Sequence, residues 1–569
     1  MKRKMMILGL KRMTFIAGNS MKNNLLSFIF FLVSEVAFSQ SLPANIPVLE
    51  ENSRRSQLLD ALHHPTSFAL RPILNDTSFY TSINHRLDND VSITLSPFLN
   101  STRISSKRPY GWGDNGMLPN PGFQTYMSVG VTVKYKFINF TFNPELVIAQ
   151  NKGFRTGLDN LSQSEIRDKF FYWNYGDFPE RYGEGWVVNP WWGQSKLTFQ
   201  FRAFEIGAAT ENIWWGPGQF NALTFSNNAQ GFPHLTLNTT KPAKTFIGNF
   251  ETQLIIGKIN DSGLSPSQYP ELNELYFKPF SGDYKYLNAL MLSYNPKWVS
   301  GLFLGFTRTF QQYSKFMGSG FLAYLPVFSG VTKDGYGFDK DANGQDQQIT
   351  VFGRYVIPKS NSEIYFEFGR RDHSKDWREF VLNPEHARAY ILGFVQLFDL
   401  PTSSKIIQVR GEMTQQQESV NRYIRYGGIT GGIKGGLTWH THNPTRGFTN
   451  YGQPLGVGIG VGSNVQTLEF SVVDGLDKFG IQLERLANNQ DFYYKAILQQ
   501  TERKPWVDLS IGFLFDKKWD KLLLSSKVQV IRAHNYQWQL APESTADFPS
   551  GENMTSFLAQ TSLIYFWNK

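Results

Sequence analysis

The chain has 569 residues, no cysteine, 15% aromatic residues and a formal net charge of +9. Without cysteine a disulfide-stapled fold is excluded, so burial and hydrogen bonding must hold the structure. Residues 1–39 carry six Lys or Arg and one Glu, leaving 50 basic against 46 acidic residues. That near balance does not point to a nucleic-acid partner, and its small positive excess suits an acidic polysaccharide.

The N-terminus reads as a secretory signal. Lys22 precedes the apolar run Leu25–Val33, and Ala37-Phe38-Ser39 supplies small residues for cleavage before Gln40. The run is too short to span a bilayer as a helix. Met21 reads as the natural start, with residues 1–20 as an upstream extension. Residues 40–85 follow as a periplasmic N-terminal segment. Within it Leu49–Leu62, with Arg54, Arg55, Leu58, Leu59 and Leu62, has a helical pattern that stops at His64-Pro65. This helix is expected at or inside the mouth of a barrel.

Residues 86–569 carry a period-two pattern. Met127, Val129, Val131, Val133, Tyr135 and Phe137 alternate with Ser128, Gly130, Thr132, Lys134 and Lys136. One face is apolar and the other polar, as a strand between lipid and lumen requires. Lys196–Ala203, Glu363–Phe368, Lys478–Arg485, Val507–Phe515 and Leu522–Val530 repeat the pattern. Weaker versions lie near 91–98, 138–149, 204–210, 248–257, 286–294, 299–310, 348–356, 386–398, 405–413, 455–462, 466–474 and 491–498. Leu161–Phe171 has a helical pattern inside a long insertion. The chain ends on an aromatic strand, Thr555–Trp567. The predicted fold class is all-β, an antiparallel outer-membrane β-barrel of 16 to 20 strands, best taken as 18, with lumen-folded loops. Closure pairs every strand on both sides, which suits an exported chain without disulfides.

Two blocks stand apart. The first is Asp177-Phe178-Pro179-Glu180-Arg181-Tyr182-Gly183 with Gly193-Gln194-Ser195. The second is Glu211-Asn212, Trp214-Trp215-Gly216-Pro217-Gly218, Ser226-Asn227-Asn228-Ala229 and Gly231-Phe232-Pro233-His234. Glycine and proline exclude a helix interior at 214–218. Adjacent tryptophans cannot both face lipid on a regular strand. Indole faces beside amides suit sugar, because apolar sugar faces stack and hydroxyls pair with amides. The candidate polysaccharide contacts are therefore Trp191, Trp192, Trp214, Trp215, Asn227, Asn228 and Arg181, and packing of a lumen-folded loop is the competing reading.

These blocks resemble the capsule-assembly Wzi family of outer-membrane β-barrel proteins, in the form found in Bacteroidetes-type bacteria. The resemblance is strongest over residues 177–237. Glu211, Asn212, Gly216, Pro217, Gly218, Pro233 and His234 carry its motif. It implies a lectin-like barrel in the outer membrane of a Gram-negative bacterium, binding surface or capsular polysaccharide and helping to attach or organise it. The expected partners are that polysaccharide, outer-membrane lipid and the barrel-assembly machinery. A porin or solute channel, and a structural barrel of a surface-assembly or secretion system, are the alternatives.

Asp339, Asp341 and Asn343, followed by Gly344, match the opening of a calcium loop, but Thr350 stands where a bidentate Glu is needed. An exposed turn is the other reading, and no cofactor besides calcium is expected. Gly456, Gly458, Gly460 and Gly462 put glycine on one face of the expected 455–462 strand, as where another segment approaches closely. His440 and His442 lack an evident third metal ligand. No catalytic spacing is recognisable, so the chain does not read as an enzyme.

Overall fold

The computed structural model describes residues 41–42, 46–59, 66–74, 91–330, 344–372, 377–382, 384–401, 403–419, 438–443, 445–498 and 502–567. The expected signal sequence and the calcium candidates Asp339, Asp341 and Asn343 lie outside the described residues.

The wall is an antiparallel sheet in chain order. Its first four strands are each interrupted: β1 (Val91–Leu95, Phe98–Ser105), β2 (Gly122–Ser128, Val131–Tyr135), β3 (Ile138–Phe142, Glu145–Ala149) and β4 (Val187–Trp191, Lys196–Phe201). Next come β5 (Phe204–Ala209), β6 (His234–Thr239), β7 (Gly248–Ile259), β8 (Lys285–Pro296), β9 (Leu302–Tyr313), β10 (Asp346–Ile357) and β11 (Ser362–Arg371). The remainder are β12 (Arg388–Asp399), β13 (Ile406–Gln415), β14 (Asn464–Asp474), β15 (Asp477–Ala487), β16 (Val507–Trp519), β17 (Leu522–His534) and β18 (Met554–Tyr565). Strand β18 pairs with β1, Tyr565 opposite Phe98, and this ladder closes the barrel.

The alternation is that of a membrane wall. On β11, Ile364 and Phe366 face outward and are exposed, whereas Glu363, Tyr365 and Glu367 face inward and are buried. On β16, Leu509, Ile511, Phe513 and Phe515 form the outward stripe. Apolar side chains thus meet lipid and polar ones meet the lumen. No helix among the described residues is long and apolar enough to cross a membrane.

The interruptions in β1–β4 line up as a seam. Pro97 and Pro144 cannot donate to a ladder. Ser96 N donates to Gly130 O at 2.9 Å, and Gln194 N donates to Asn143 O at 2.9 Å across the gap. One barrel end has tight turns, as at Asn361 and Gly475, and the other has long loops.

Two helices matter for function. α1 (Pro47–Leu59) lies inside the short-turn end, so the expected helix is present. α2 (Gln163–Gly176) lies in the loop between β3 and β4. It starts with a capping box, Ser162 Oγ accepting from Glu165 N and Glu165 accepting from Ser162 N.

Two expected strands are absent. Residues 455–462 form an irregular segment in the lumen, because β13 pairs directly with β14 and leaves no place in the wall. Residues 490–497 are helical, packing Phe492, Tyr493 and Ile497 on Tyr172 and Trp538. Aromatic residues there suggested a strand, but tertiary packing overrides β-propensity.

Candidate functional site

The inward face of the wall is charged, and the chain fills the space it encloses. α1 enters first. Its Arg54 donates from Nε to Glu363 Oε1 at 2.8 Å, and Arg354 pairs with the same carboxylate. Glu51 pairs with Lys478 at 2.9 Å and Arg410 at 3.2 Å. Buried charges persist only when paired, so these contacts fix the helix to the wall.

The Trp-Trp block enters next. Trp214–Trp215 forms a two-residue ladder with Leu70–Arg71, so the N-terminal segment and the motif loop share a ribbon inside the barrel. Trp215 is 1% exposed, donates from Nε1 to Gln253 Oε1 at 2.8 Å and meets Phe225 edge-on at 4.8 Å. Trp214 is buried beneath the Arg71 guanidinium, 4.6 Å from its ring centre. Arg71 is held at 2.8 Å by Glu50, and burial pushes its pKa down to about 10.

Two wall carboxylates then hold the loop. Glu367 accepts from Gly218 N at 3.1 Å and Leu223 N at 2.9 Å. Glu412 accepts from Gln219 N, Phe220 N and Asn221 N at 2.7, 3.2 and 2.8 Å, and from the Tyr365 hydroxyl at 2.8 Å. Gly216 has φ +122°, and a Cβ there would lie 2.1 Å from Glu367 Oε1. The motif therefore needs glycine both for conformation and for close approach.

The first motif block fills the seam. Ser195 Oγ accepts from Asn143 N at 2.9 Å and donates to Trp192 O at 2.5 Å. Gln194 turns inward to Asn212, and Asn212 Nδ2 reaches Ala229 O at 2.9 Å. Glu211 faces Lys196 at 3.3 Å, and burial pushes its carboxyl pKa up against that pull. His234 is buried on β6 with Nδ1 2.8 Å from Phe232 O, while Pro233 is exposed at the rim.

The predicted sugar contacts do not form one patch. Trp215 has no open face. Trp214 lines a lumen cavity. Trp192 is 62% exposed on the outer wall, edge-on to Phe142, where it faces lipid. Trp191 is half-buried. Asn227 is buried, and its backbone O accepts from Asn115 N at 2.6 Å. Asn228 bonds Pro454 O and accepts from Gly113 N. Tight packing there explains the glycine run, since a Cβ on Gly458 would meet Asn228 at 2.0 Å. His440 is buried edge-on to Phe178, and no group of three metal-type ligands occurs among the described residues.

Only Arg181 reaches the long-loop end. It donates from Nε and Nη2 to Asn151 O at 3.0 and 2.8 Å. Around it Gln268 bonds Phe154 O, Tyr182 bonds Gly452 O, and Arg155, itself exposed, meets Glu552 at 2.8 Å. Four loops are thus tied into one cap, with Lys152 and Lys278 exposed on it. Sequence reasoning missed Glu367, Glu412, Gln253 and Arg71. Acids alternating with Ile364 and Phe366 are a readable sign of a filled lumen, but not of what fills it.

The family model described as capsule assembly protein Wzi matches residues 192–543. The chain belongs to this Wzi family. It is an outer-membrane β-barrel of a Gram-negative bacterium. Among solved structures it is similar to Escherichia coli Wzi, which is described as an outer-membrane protein involved in group 1 capsule assembly and a carbohydrate-binding β-barrel. That likeness has a TM-score of 0.51 at 11% identity, covers 83% of this chain and 85% of that one, and bears on fold. Pseudomonas aeruginosa OccD3 (TM-score 0.37, 8% identity, 83% and 92% covered) and Acinetobacter baumannii OccAB3 (0.36, 9%, 84% and 100%) are more distant. No curated protein matches the chain. The Wzi match includes the Trp-Trp block, so in this member of the family that block lies inside the wall.

Proposed function

We propose that this barrel binds surface or capsular polysaccharide on its long-loop cap and helps to attach or organise it. Bacterial barrels have short periplasmic turns and long outer loops, which puts the cap outside and α1 at the periplasmic end. One observation carries the reading: the lumen is filled by α1, the 211–232 loop and the 445–463 segment, while the opposite loops are tied into a polar surface. A filled wall suits a binder more than a channel.

Binding would rest on hydroxyls and acidic groups meeting Lys152, Arg155, Arg181 and Lys278, multiplied along a repeating polymer. The carbohydrate binding described for the Escherichia coli relative supports this reading. Outer-membrane lipid and the barrel-assembly machinery are the partners that such a wall requires. The test is retention of the cell's own surface polymer by the detergent-folded protein, with conductance recorded on the same sample. Saturable retention with a closed lumen is expected. Steady conductance without retention would replace the reading with a solute channel.

A further inference from the structure

Strands β5 and β6 stop at Ala209 and His234, where the chain leaves the wall for the lumen loop and returns from it. Their neighbours run on, β4 to Val187 and β7 to Ile259. The wall therefore carries a notch at its long-loop end. The lumen loop closes it from inside: Asn189 Nδ2 donates to Gln230 Oε1 at 2.6 Å, and Phe232 lies against Gly257.

The outer side of the notch is a groove of about 660 Å³, within the size range of ligand sites. Phe142 and Trp192 form one flank, and Tyr284 and Tyr286 form the other. The Tyr286 hydroxyl donates to Tyr324 O, and Val327 N donates to Asn288 Oδ1 at 3.2 Å. The 314–330 loop thus folds back over the outer wall and raises that second flank. The floor is low because Ala208 is small, and Leu235 beside it is exposed. A hydrocarbon chain laid there meets protein on three sides instead of one, and gains dispersion contacts that a flat wall does not give. So apolar a surface suits hydrocarbon rather than sugar.

The head of the groove is cationic. Lys258 points outward near the end of β7 and stands over the Tyr284 ring at 4.7 Å. It is exposed, and no carboxylate lines the groove among the described residues. Lys196 is turned inward to Glu205 and Glu211, and Asp283 accepts from Lys315 N at 2.7 Å. Tyrosines at the strand ends mark the headgroup level of a membrane. A lysine without a carboxylate at that level favours an anionic headgroup over a zwitterionic one.

We propose that this groove binds one acyl lipid with an anionic phosphate headgroup, the chain over Ala208 and Leu235 and the phosphate on Lys258. The site lies on the outer wall and uses none of the cations assigned to polymer on the cap. It therefore stands or falls separately from polymer retention.

Native mass spectrometry of the detergent-folded full chain tests it, with dioleoyl phosphatidylglycerol as the probe. Dioleoyl phosphatidylcholine and glycerol phosphate are the controls. One phosphatidylglycerol per chain should be retained saturably, and phosphatidylcholine less well. Lys258→Gln should weaken retention of phosphatidylglycerol about five-fold, the worth of one lysine beside an anionic lipid surface, and Lys258→Arg should keep it. Ala208→Phe fills the floor from an exposed position and should remove the saturable step for both lipids. Heat-modifiable mobility on gels confirms folding of each variant, and the Lys258 pair decides the matter if Ala208→Phe fails to fold. Equal retention of the two lipids, or an unchanged step in Ala208→Phe, would overturn the proposal. Binding of glycerol phosphate as tight as that of the lipid would reduce the site to an anion site and overturn the acyl assignment. A two-chain mass without lipid would overturn it in favour of a second copy of the chain.

Discussion

Gln194 and Asn212 clasp each other inside the barrel. Gln194 Nε2 donates to Asn212 Oδ1 at 2.9 Å, and Asn212 N donates to Gln194 Oε1 at 3.0 Å. The pair joins the two motif blocks where the seam in β4 meets the start of the lumen loop. Gln194 Nε2 also reaches Glu145 at 2.7 Å, so three elements meet at one amide.

Asn212→Leu should break this clasp. It removes the Oδ1 that accepts from Gln194 and the Nδ2 that donates to the buried Ala229 carbonyl, a loss of about 1–3 kcal/mol for buried polar groups. Earlier protease cleavage between residues 209 and 234, with the barrel still heat-modifiable, is the expected result. Unchanged cleavage would show that the loop is held elsewhere.

The double variant Glu367→Ala with Glu412→Ala removes the acceptors for five backbone N–H groups of the 218–223 loop. Release of the loop should raise single-channel conductance above that of the parent protein. Gly216→Ala should act in the same direction, because φ +122° and the contact with Glu367 are both costly for a Cβ. No change in current in either protein would mean that α1 and the 445–463 segment seal the lumen without this loop.

Trp215→Ala should cost about 3–5 kcal/mol, the usual loss for a large aromatic truncated in a core. It also strands Gln253. Reduced barrel assembly is expected, measured as the heat-modifiable fraction, rather than a selective loss of polymer binding. Selective loss of binding would restore the sugar-stacking role.

The cap should lose stability as pH rises. Burial pushes the Glu180 carboxyl from 4.5 to about 7, against the pull of Lys169, and pushes Asp177 from 3.8 to about 6. The folded cap therefore binds more protons than the unfolded chain between about pH 4 and 7. This contribution is fully present below pH 4 and is lost as pH passes 6 to 7. Protease protection of residues 177–183 should fall between pH 5 and 8, and Glu180→Gln should flatten the slope. A slope that persists in that variant would assign the effect to Asp177.

Arg155→Ala, at an exposed ion pair, should change stability by less than about 1 kcal/mol. Polymer retention should nonetheless drop and become less sensitive to salt. Unaltered retention and salt dependence would move the binding surface away from this cap.

Much of the wall was legible because period two is local: Val507–Trp519 shows its lipid and lumen faces within a few residues. Strand β6 went unread, since His234–Thr239 is short and directly follows the motif block. The glycine run at 456–462 signalled close approach correctly but sat in the lumen, not the wall, because its neighbours Leu223 and Asn228 are more than two hundred residues away in sequence.

The motif blocks show the same division. Their glycines, proline and paired tryptophans determined by themselves that residues 214–218 form a rigid non-helical loop. The backbone limits of those residue types hold wherever the chain is placed. Whether the indoles face sugar, lipid or the core was decided by partners from distant strands. Gln253, Glu367 and Glu412 turn Trp215 and its loop inward, and the interrupted wall at β4 turns Trp192 outward. Burial is a property of the closed barrel, and no single segment carries it.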